Sequence, residues 1–218
     1  MAEFEEAPQH STIARSEQRI LTTHVGSLPR PESVTQVIYA QERGDTVDPE
    51  AAAETIQAGI NGVVAQQISV GLDIVNDGEA GKLSYVNYIP SRLSGFGGVA
   101  KTYTGGSADL AEFPEFAKKN WVLPEGFPTQ NPACDGPIVY KNVEALEEEL
   151  SQFRAGLQAA QSAGNQPQQS FLSCPSPGVI AVFFENQFYD SHEDYIFALA
   201  AAMKVEYDAI YRSGTIVQ

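Results

Sequence analysis

The sequence predicts an α/β fold in which parallel strands alternate with helices. Strand-like and helix-like segments alternate from about Arg19 to the last residue, and the helical segments carry apolar residues at steps of three and four. The strand-like segments are short apolar runs that end in turn residues. Residues 1–18 lack this periodicity and are rich in Glu, Gln and Ser, so we predict an N-terminal extension at 1–18 and a folded region at 19–218.

The first part of the folded region contains two predicted strands and two predicted helices. Asp48 is a suitable N-cap for the longer helix, Pro49 suits its first position, and Gly71 is placed to end it. The second strand ends in NDGE, where NDG favours a turn at Asp77. In chain order the elements are a strand at Ile20–His24, a short helix from about Glu32 to Arg43, a helix over Asp48–Val70 and a strand at Leu72–Asn76.

Residues 80–133 are less regular than the rest of the chain. They contain the glycine-rich SGFGGVAKTYTGGS and the aromatic and proline-rich FPEFAKKNWVLPEGFPTQNP. A segment this long between core elements is more often a functional or domain-bridging excursion than a plain connector. A floppy insertion is the alternative interpretation, although the aromatic residues count against full disorder.

The last part of the chain returns to a regular pattern. A strand is predicted at Gly136–Tyr140, and Asn142 can cap the helix that follows. The segment SFLSCPSPG contains another strand, and a helix that begins at Ser191 and ends at Gly214 precedes the strand-like TIVQ. The apolar face of the first helix comprises Val143, Leu146, Leu150, Phe153 and Leu157, and the core stripe of the last comprises Ile196, Leu199, Met203 and Ile210.

Four strand–helix units followed by one more strand make up about half of an eight-stranded barrel. We therefore predict a fold of the (β/α)8 TIM-barrel type, of which this chain covers roughly the first half. An open half-barrel exposes strand edges and apolar faces that proteins normally cover. The chain is accordingly expected to be a fragment, or one of two polypeptides that together complete the fold.

The composition excludes several classes of function. The chain carries 28 acidic and 13 basic residues, a formal charge of −15, which disfavours nucleic acid and anionic membranes as partners. No apolar run is long enough to span a membrane and the N-terminus does not resemble a signal peptide, so a cytoplasmic location is the default expectation. Cys134 and Cys174 are far apart without a CxxC pairing, and no disulfide is expected.

Five segments, taken in order, resemble the cobalamin-independent methionine synthase family. They are TTHVGSLPRP, GLDIVNDGE, GPIVY, SCPSPG and HEDYIFALAAAMKVEYDAIYRSGTIVQ, and together they extend over about residues 19–218. The chain is similar to the shorter, single-barrel relatives, which look like the catalytic C-terminal barrel of the full enzyme. The resemblance implies a zinc-dependent methyltransferase, in which zinc favours the thiolate of homocysteine and this thiolate attacks the methyl group of a folate donor.

The resemblance also implies a substrate site at the C-terminal ends of the strands, which we call the mouth. Gly26 and Ser27 match the family positions that help to hold the amino-acid substrate, and Glu79 matches the acidic residue that contacts the substrate amine. Glu79 could instead cap the segment that follows it. His24 stands at the rim either as a substrate-facing residue or as a histidine bonded to the backbone, and a direct zinc contact is the weakest of its three interpretations.

Cys174 lies at a predicted strand end that faces the same mouth, where it could approach the substrate; a buried small residue is the alternative, and a zinc ligand the least favoured. The family takes its zinc ligands from later strands, so no metal ligand is predicted in this chain and zinc is expected to be held by a second polypeptide. Two alternatives remain: a catalytically inactive half-barrel that acts as a binding or assembly module, and an alkyl transferase that acts on another thiol such as coenzyme M.

Overall fold

The computed structural model describes residues 13–100, 108–120 and 131–218, which form two compact units. The first unit comprises the described residues up to Tyr85 together with Asn142–Cys174 and Lys204–Gln218, and the second comprises the described residues of Val86–Lys141 together with Pro175–Met203. Most of the predicted extension and two stretches of the predicted excursion lie outside the described residues.

Helices and strands are interspersed along the described chain, with two successive helices at three places and with several strands shorter than predicted. In order they are α1 (Glu32–Glu42), α2 (Pro49–Ser69), β1 (Ile74–Val75), α3 (Ile89–Arg92), β2 (Gly98–Val99), α4 (Ala108–Glu112), α5 (Pro114–Asn120), β3 (Pro132–Ala133), α6 (Val143–Ser162), β4 (Gln169–Leu172), α7 (Pro177–Phe183), α8 (His192–Arg212) and β5 (Ile216–Val217).

The predicted helix caps of the first unit are confirmed. The Asp48 carboxylate accepts hydrogen bonds from the amides of Glu50 and Ala51 at the start of α2, and the Asn142 side chain accepts one from Ala145 at the start of α6. These bonds satisfy amide groups that have no partner within their own helix. Both long helices of this unit therefore begin where the sequence places them.

A parallel sheet lies at the centre of the first unit, with the order β1, β4, β5. Ile74 is paired with Gln169 and Phe171 with Ile216, both in parallel register. On the other side of β1, Thr23 forms a single parallel bridge with Ile74. The strand predicted at Ile20–His24 is thus reduced to one bridging residue.

A second correction concerns Gly136–Tyr140, which is not a strand of the parallel sheet. Tyr140 forms an isolated antiparallel bridge with Leu93 within the second unit. Pro137 has no amide hydrogen to donate, and the amide of Val139 donates to the Ser94 hydroxyl at 2.9 Å instead of to a strand. The parallel arrangement is therefore Thr23, β1, β4 and β5, one strand fewer than predicted.

The core of the first unit is packed between the sheet and the helices α2 and α6. Gly156 allows these helices to approach, because a Cβ atom at that position would lie 3.1 Å from the Ile60 side chain. From the predicted stripe of α8, Ile210 is buried in this unit. Leu199 and Met203 are buried and Ile196 is half-buried, and all three belong to the second unit. The main core cluster comprises Ile56, Ile60, Val64, Val75, Ala80, Phe153, Ala160, Leu172 and Ile210.

The described end of the predicted extension is attached to the sheet of the first unit. The Ala14 amide donates to the Gln169 side chain at 2.8 Å, and Arg19 forms an ion pair with Asp73, which immediately precedes β1. Thr22 donates its amide to the same carboxylate at 2.8 Å. Contacts with the sheet therefore begin before Arg19, because these polar contacts replace the apolar pattern on which the predicted boundary depended.

The second unit contains a small antiparallel pair, β2 with β3. Cys134 is fully buried beside it and is a free thiol, as is Cys174 in the first unit. The hydroxyl of Ser191 accepts the Asp194 amide at 3.0 Å, which confirms the predicted cap of α8. His192 is exposed. Within the described residues, no helix has both the length and the apolar character needed to cross a membrane.

Candidate functional site

The loop that follows β1, residues 76–83, contains the turn-forming sequence NDGE and is called the exit loop below. Its backbone is strained at Glu79, which has a φ of 55° although it is not a glycine. Gly78 precedes it with a φ of 63°, and a Cβ atom there would lie only 2.6 Å from the Val63 side chain. Only glycine fits at position 78, and the carboxylate of Glu79 is held in an orientation that an unconstrained loop would avoid.

Short side-chain bonds fix this conformation from within the loop. The Asn76 side chain accepts a hydrogen bond from the Gly78 amide at 2.7 Å, and the Asp77 carboxylate accepts one from the Glu79 amide at 3.0 Å. Asn76 also donates to the His24 carbonyl at 2.6 Å. The prediction that Asp77 forms a turn is confirmed, and the exit loop is joined to the segment that carries the other candidate residues.

Glu79 and Ser27 meet in the structure. The Ser27 hydroxyl donates to Oε2 of Glu79 at 2.5 Å, although 52 residues separate the two in sequence. The Glu79 side chain is only 6% exposed, and its other oxygen, Oε1, accepts no hydrogen bond from any residue that the structure describes. A buried carboxylate oxygen without a donor costs free energy unless a ligand supplies one.

His24 and Gly26 form a turn beside this pair. Nε2 of His24 lies 2.9 Å from the Gly26 carbonyl oxygen, so one ring nitrogen is engaged within the turn itself. Gly26 has a φ of 93°, which favours glycine, and a Cβ atom there would meet open space. The structure thus brings His24, Gly26, Ser27 and Glu79 together, and their contact with a substrate stays a prediction.

Cys174 points toward a group of buried ionisable side chains and not toward Ser27. Its thiol donates to Oε1 of Glu206 at 3.3 Å, and Nζ of Lys82 lies 2.5 Å from Oε1 of Glu149. We call Asp77, Lys82, Glu149, Cys174 and Glu206 the buried charge cluster. The side chains of Lys82 and Glu149 are 5% and 12% exposed, and Glu206 is fully buried.

The buried charge cluster shifts the titration of its members. Burial raises the pKa of the Asp77 carboxyl to about 6, against the opposing effect of Lys82. For Lys82, burial works against the charged form, but Glu149, Asp77 and Glu206 outweigh it and raise the pKa. Burial, together with Glu206, also raises the pKa of the Cys174 thiol. Cys174 is therefore a protonated, weakly reactive thiol near neutral pH.

The described residues do not fit a zinc ion. Over residues 13–100, 108–120 and 131–218 there is no group of three or more His, Cys, Asp or Glu side chains that could hold a metal. Cys174, the one candidate thiol near the exit loop, is occupied by Glu206 and held in its protonated form.

Several residues of the site were not found from the sequence. Arg30 donates to the backbone carbonyls of Glu79 and Lys82 at 2.8 and 2.7 Å and so holds the exit loop. Glu149 lies in the run EALEEEL, in which all the carboxylates look equally exposed, although helical spacing from the apolar Leu146 would have placed Glu149 toward the core. For Lys82, the available signal in the sequence was its position three residues after the candidate Glu79.

The candidate residues lie at one end of the parallel sheet. The carboxylates follow a parallel strand at its C-terminal end, which is where enzymes with a (β/α) architecture place their active sites. Residues 20–106, which include His24, Gly26, Ser27 and Glu79, match the family model described as the catalytic domain of cobalamin-independent synthase. The match includes the exit loop and ends before α6.

Curated relatives point the same way. Over 154 residues the chain is 27% identical to a 5-methyltetrahydropteroyltriglutamate–homocysteine methyltransferase from Syntrophotalea carbinolica, covering 71% of this chain and 17% of that protein. Over 75 residues it is 33% identical to the protein of the same name from Aeromonas salmonicida, covering 34% of this chain and 10% of that protein. The chain therefore spans less than a fifth of the length of these relatives.

Solved structures show the fold. A B12-independent methionine synthase from Shewanella sp. W3-18-1, in complex with selenomethionine, superposes on 90% of this chain with a TM-score of 0.60 and 18% identity, covering 50% of the Shewanella chain. A putative vitamin-B12 independent methionine synthase from Listeria monocytogenes gives a TM-score of 0.58 and 18% identity, with 89% and 49% covered. The chain is similar in fold to these cobalamin-independent methionine synthases, and it spans about half of the length of the two solved chains.

Proposed function

We propose that residues 19–218 form the first half of a (β/α)8 barrel and supply the substrate-binding part of a methyltransferase of the methionine synthase type. The sequential parallel order of Thr23, β1, β4 and β5 supports this interpretation, since neighbouring strands of such a barrel follow one another in sequence. The described part of residues 80–133 would be an excursion from this half-barrel. The other half would come from residues outside this chain, most simply from a second polypeptide.

Glu79 carries the proposal. Its buried carboxylate is held in a strained conformation, bonded to Ser27 on one oxygen and without a described donor on the other. A substrate ammonium group is a suitable donor for Oε1, because it brings both hydrogen bonds and the opposite charge. Gly26 and Ser27 would line the same position, with His24 at its rim.

The proposed acceptor is an amino acid with a thiol, such as homocysteine. Coenzyme M is the less favoured acceptor, because it carries a sulfonate, which the Glu79 carboxylate would repel, and lacks an ammonium group. The proposed donor is a methyl-folate. Zinc is the proposed cofactor of the assembled enzyme, held by residues outside this chain, while the residues described here bind and orient the acceptor.

Calorimetric titration of the full chain with homocysteine tests the site. We expect binding that Glu79→Gln weakens at least about tenfold, as loss of a charge-assisted hydrogen bond would. Glu147→Gln, a change of the same kind at an exposed position of α6, is the matched control and should leave binding unchanged. The deamino analogue 4-mercaptobutyrate should bind weakly to wild type and equally to Glu79→Gln.

Wild-type protein that does not bind homocysteine, or binds the deamino analogue as well, would contradict the proposal. A second measurement tests the assembled enzyme: native mass spectrometry should find the chain with a complementary polypeptide and zinc, and this complex should transfer a methyl group from methyl-folate to homocysteine. A zinc-free dimer without transferase activity would instead favour the inactive binding or assembly module.

A further inference from the structure

The exit loop is anchored on two sides by cationic side chains. On one side Arg30 donates to the carbonyls of Glu79 and Lys82. On the other, the Lys82 side chain leaves the loop and pairs with Glu149 on α6 at 2.5 Å. A helix that contributes no side chain to the candidate substrate position is thereby connected to the loop that does.

The connection between Lys82 and Glu79 is short. The Lys82 amide donates to the Glu79 carbonyl at 3.2 Å, so the two residues belong to one turn. Because the backbone at Glu79 is strained, a displacement of Lys82 would allow that residue to relax toward an ordinary φ. The position of the carboxylate therefore depends on where Lys82 is held.

Stability alone does not explain a buried ion pair at this position. Removing two charges from water carries a large desolvation penalty, and apolar residues of similar volume often stabilise a protein as well or better. Lys82 also faces the carboxyls of Asp77 and Glu206, so the local charge is not balanced by one lysine. A pair of this kind is better suited to fixing one geometry than to adding stability.

We infer that Lys82 and Glu149 are positioning residues, whose buried ion pair ties the exit loop to α6 and keeps the Glu79 carboxylate directed at the substrate amine. The inference rests on the proposed function for the identity of the ligand. The position of the loop can be measured without any ligand.

Amide hydrogen exchange of the full chain, followed residue by residue by NMR, measures how firmly the exit loop is held. In Lys82→Met and Glu149→Gln we expect the Glu79 amide, which donates to Asp77, to exchange about tenfold faster or more. The double variant should exchange no faster than either single variant, because both remove one interaction. Lys82→Arg keeps the charge and should restore most of the protection.

The matched control is Lys204→Met, which removes an exposed lysine from its ion pair with Asp208. It should leave the exchange of Glu79 unchanged. In the titration with homocysteine, Lys82→Met and Glu149→Gln should weaken binding, but in the Glu79→Gln background they should have no further effect. Binding of 4-mercaptobutyrate should not change.

The outcomes separate the two proposals. Protection of Glu79 that is unchanged in both variants would overturn the positioning role, as would a uniform rise in exchange across α2 and the sheet. If Lys82→Met does not fold, Glu149→Gln alone decides the question. Faster exchange of Glu79 in a protein that never binds homocysteine would retain the positioning role and remove the proposed ligand.

Discussion

Two aspartates at opposite ends of β1 have opposite electrostatic environments. Asp73 precedes the strand, where the Arg19 guanidinium and the Thr22 amide bind its carboxylate and hold its pKa well below the usual value. Asp77 follows the strand, where burial raises its pKa to about 6. One end of this short strand favours a charged carboxylate and the other disfavours it.

The contrast indicates that the two ends of β1 have different roles, one structural and one in the candidate site. At the N-terminal end the Asp73 carboxylate is bonded to Arg19 and Thr22, and these contacts join the segment before β1 to the sheet. At the C-terminal end the structure holds a strained residue, a buried carboxylate oxygen without a described donor and several buried acids. Barrel enzymes show the same asymmetry: residues at the N-terminal ends of the strands contribute to stability, and residues at the C-terminal ends form the active site.

The largest effect on stability is expected from adding a Cβ atom at position 78, beyond the C-terminal end of β1. Gly78→Ala should destabilise the protein by about 2–4 kcal/mol, because the new Cβ atom adds a clash with Val63 to an unfavourable φ. Gly44→Ala, which has a φ of 73° but no atom within 4 Å of its Cβ, should cost only about 1 kcal/mol. Urea unfolding of the two variants measures the difference, and equal losses would contradict a clash at position 78.

The next effect concerns the pH dependence that Asp77 imposes. Its pKa is raised on folding, so the folded state retains this proton longer than the unfolded state, and stability should fall as the pH rises from about 4 to about 6. A shift from 3.8 to about 6 corresponds to about 3 kcal/mol. In Asp77→Asn, which keeps an acceptor for the Glu79 amide, this decline should disappear from unfolding curves measured across that range.

The same curves contain a check on Asp77. Lys82, Glu149 and Glu79 act on this carboxyl, and the variant leaves all three in place. A decline that persists in Asp77→Asn would assign the pH dependence to one of those groups instead.

The smallest effect on stability should come from Asp73, at the N-terminal end of β1. The pKa of Asp73 is lowered on folding, so its contribution is present above pH 4 and is lost as the pH falls further, the opposite sign to Asp77. Arg19→Met should move the acid unfolding midpoint upward by about half a pH unit. Circular dichroism during acid titration measures it, and an unchanged midpoint would mean that Thr22 alone suffices.

The parts of the fold that depend on local chemistry could be predicted from the sequence. Asp48, Asn142 and Ser191 mark helix starts because a cap is a short-range interaction. The strand at Gly136–Tyr140 was predicted wrongly, since its apolar pattern does not reveal that Ser94 and Tyr189 occupy its amides from a distance. Strand length and partner depend on such long-range contacts, which local pattern does not encode.

The candidate site divides in the same way. The family resemblance points to Glu79 and Ser27, and the structure shows that their side chains are bonded. Lys82 and Glu149 were not selected, because burial of a lysine is decided by tertiary packing, and a charged residue in a polar loop or a glutamate-rich helix looks exposed.

The positive φ of Glu79 has a consequence for efforts to make this protein more robust. A glycine at position 79 would adopt the same φ without strain and should raise stability by about 1 kcal/mol. A screen for heat resistance would therefore reward Glu79→Gly, and the same change would delete the carboxylate. Selection for thermal tolerance would favour glycine at position 79, whereas selection for ligand binding would favour glutamate.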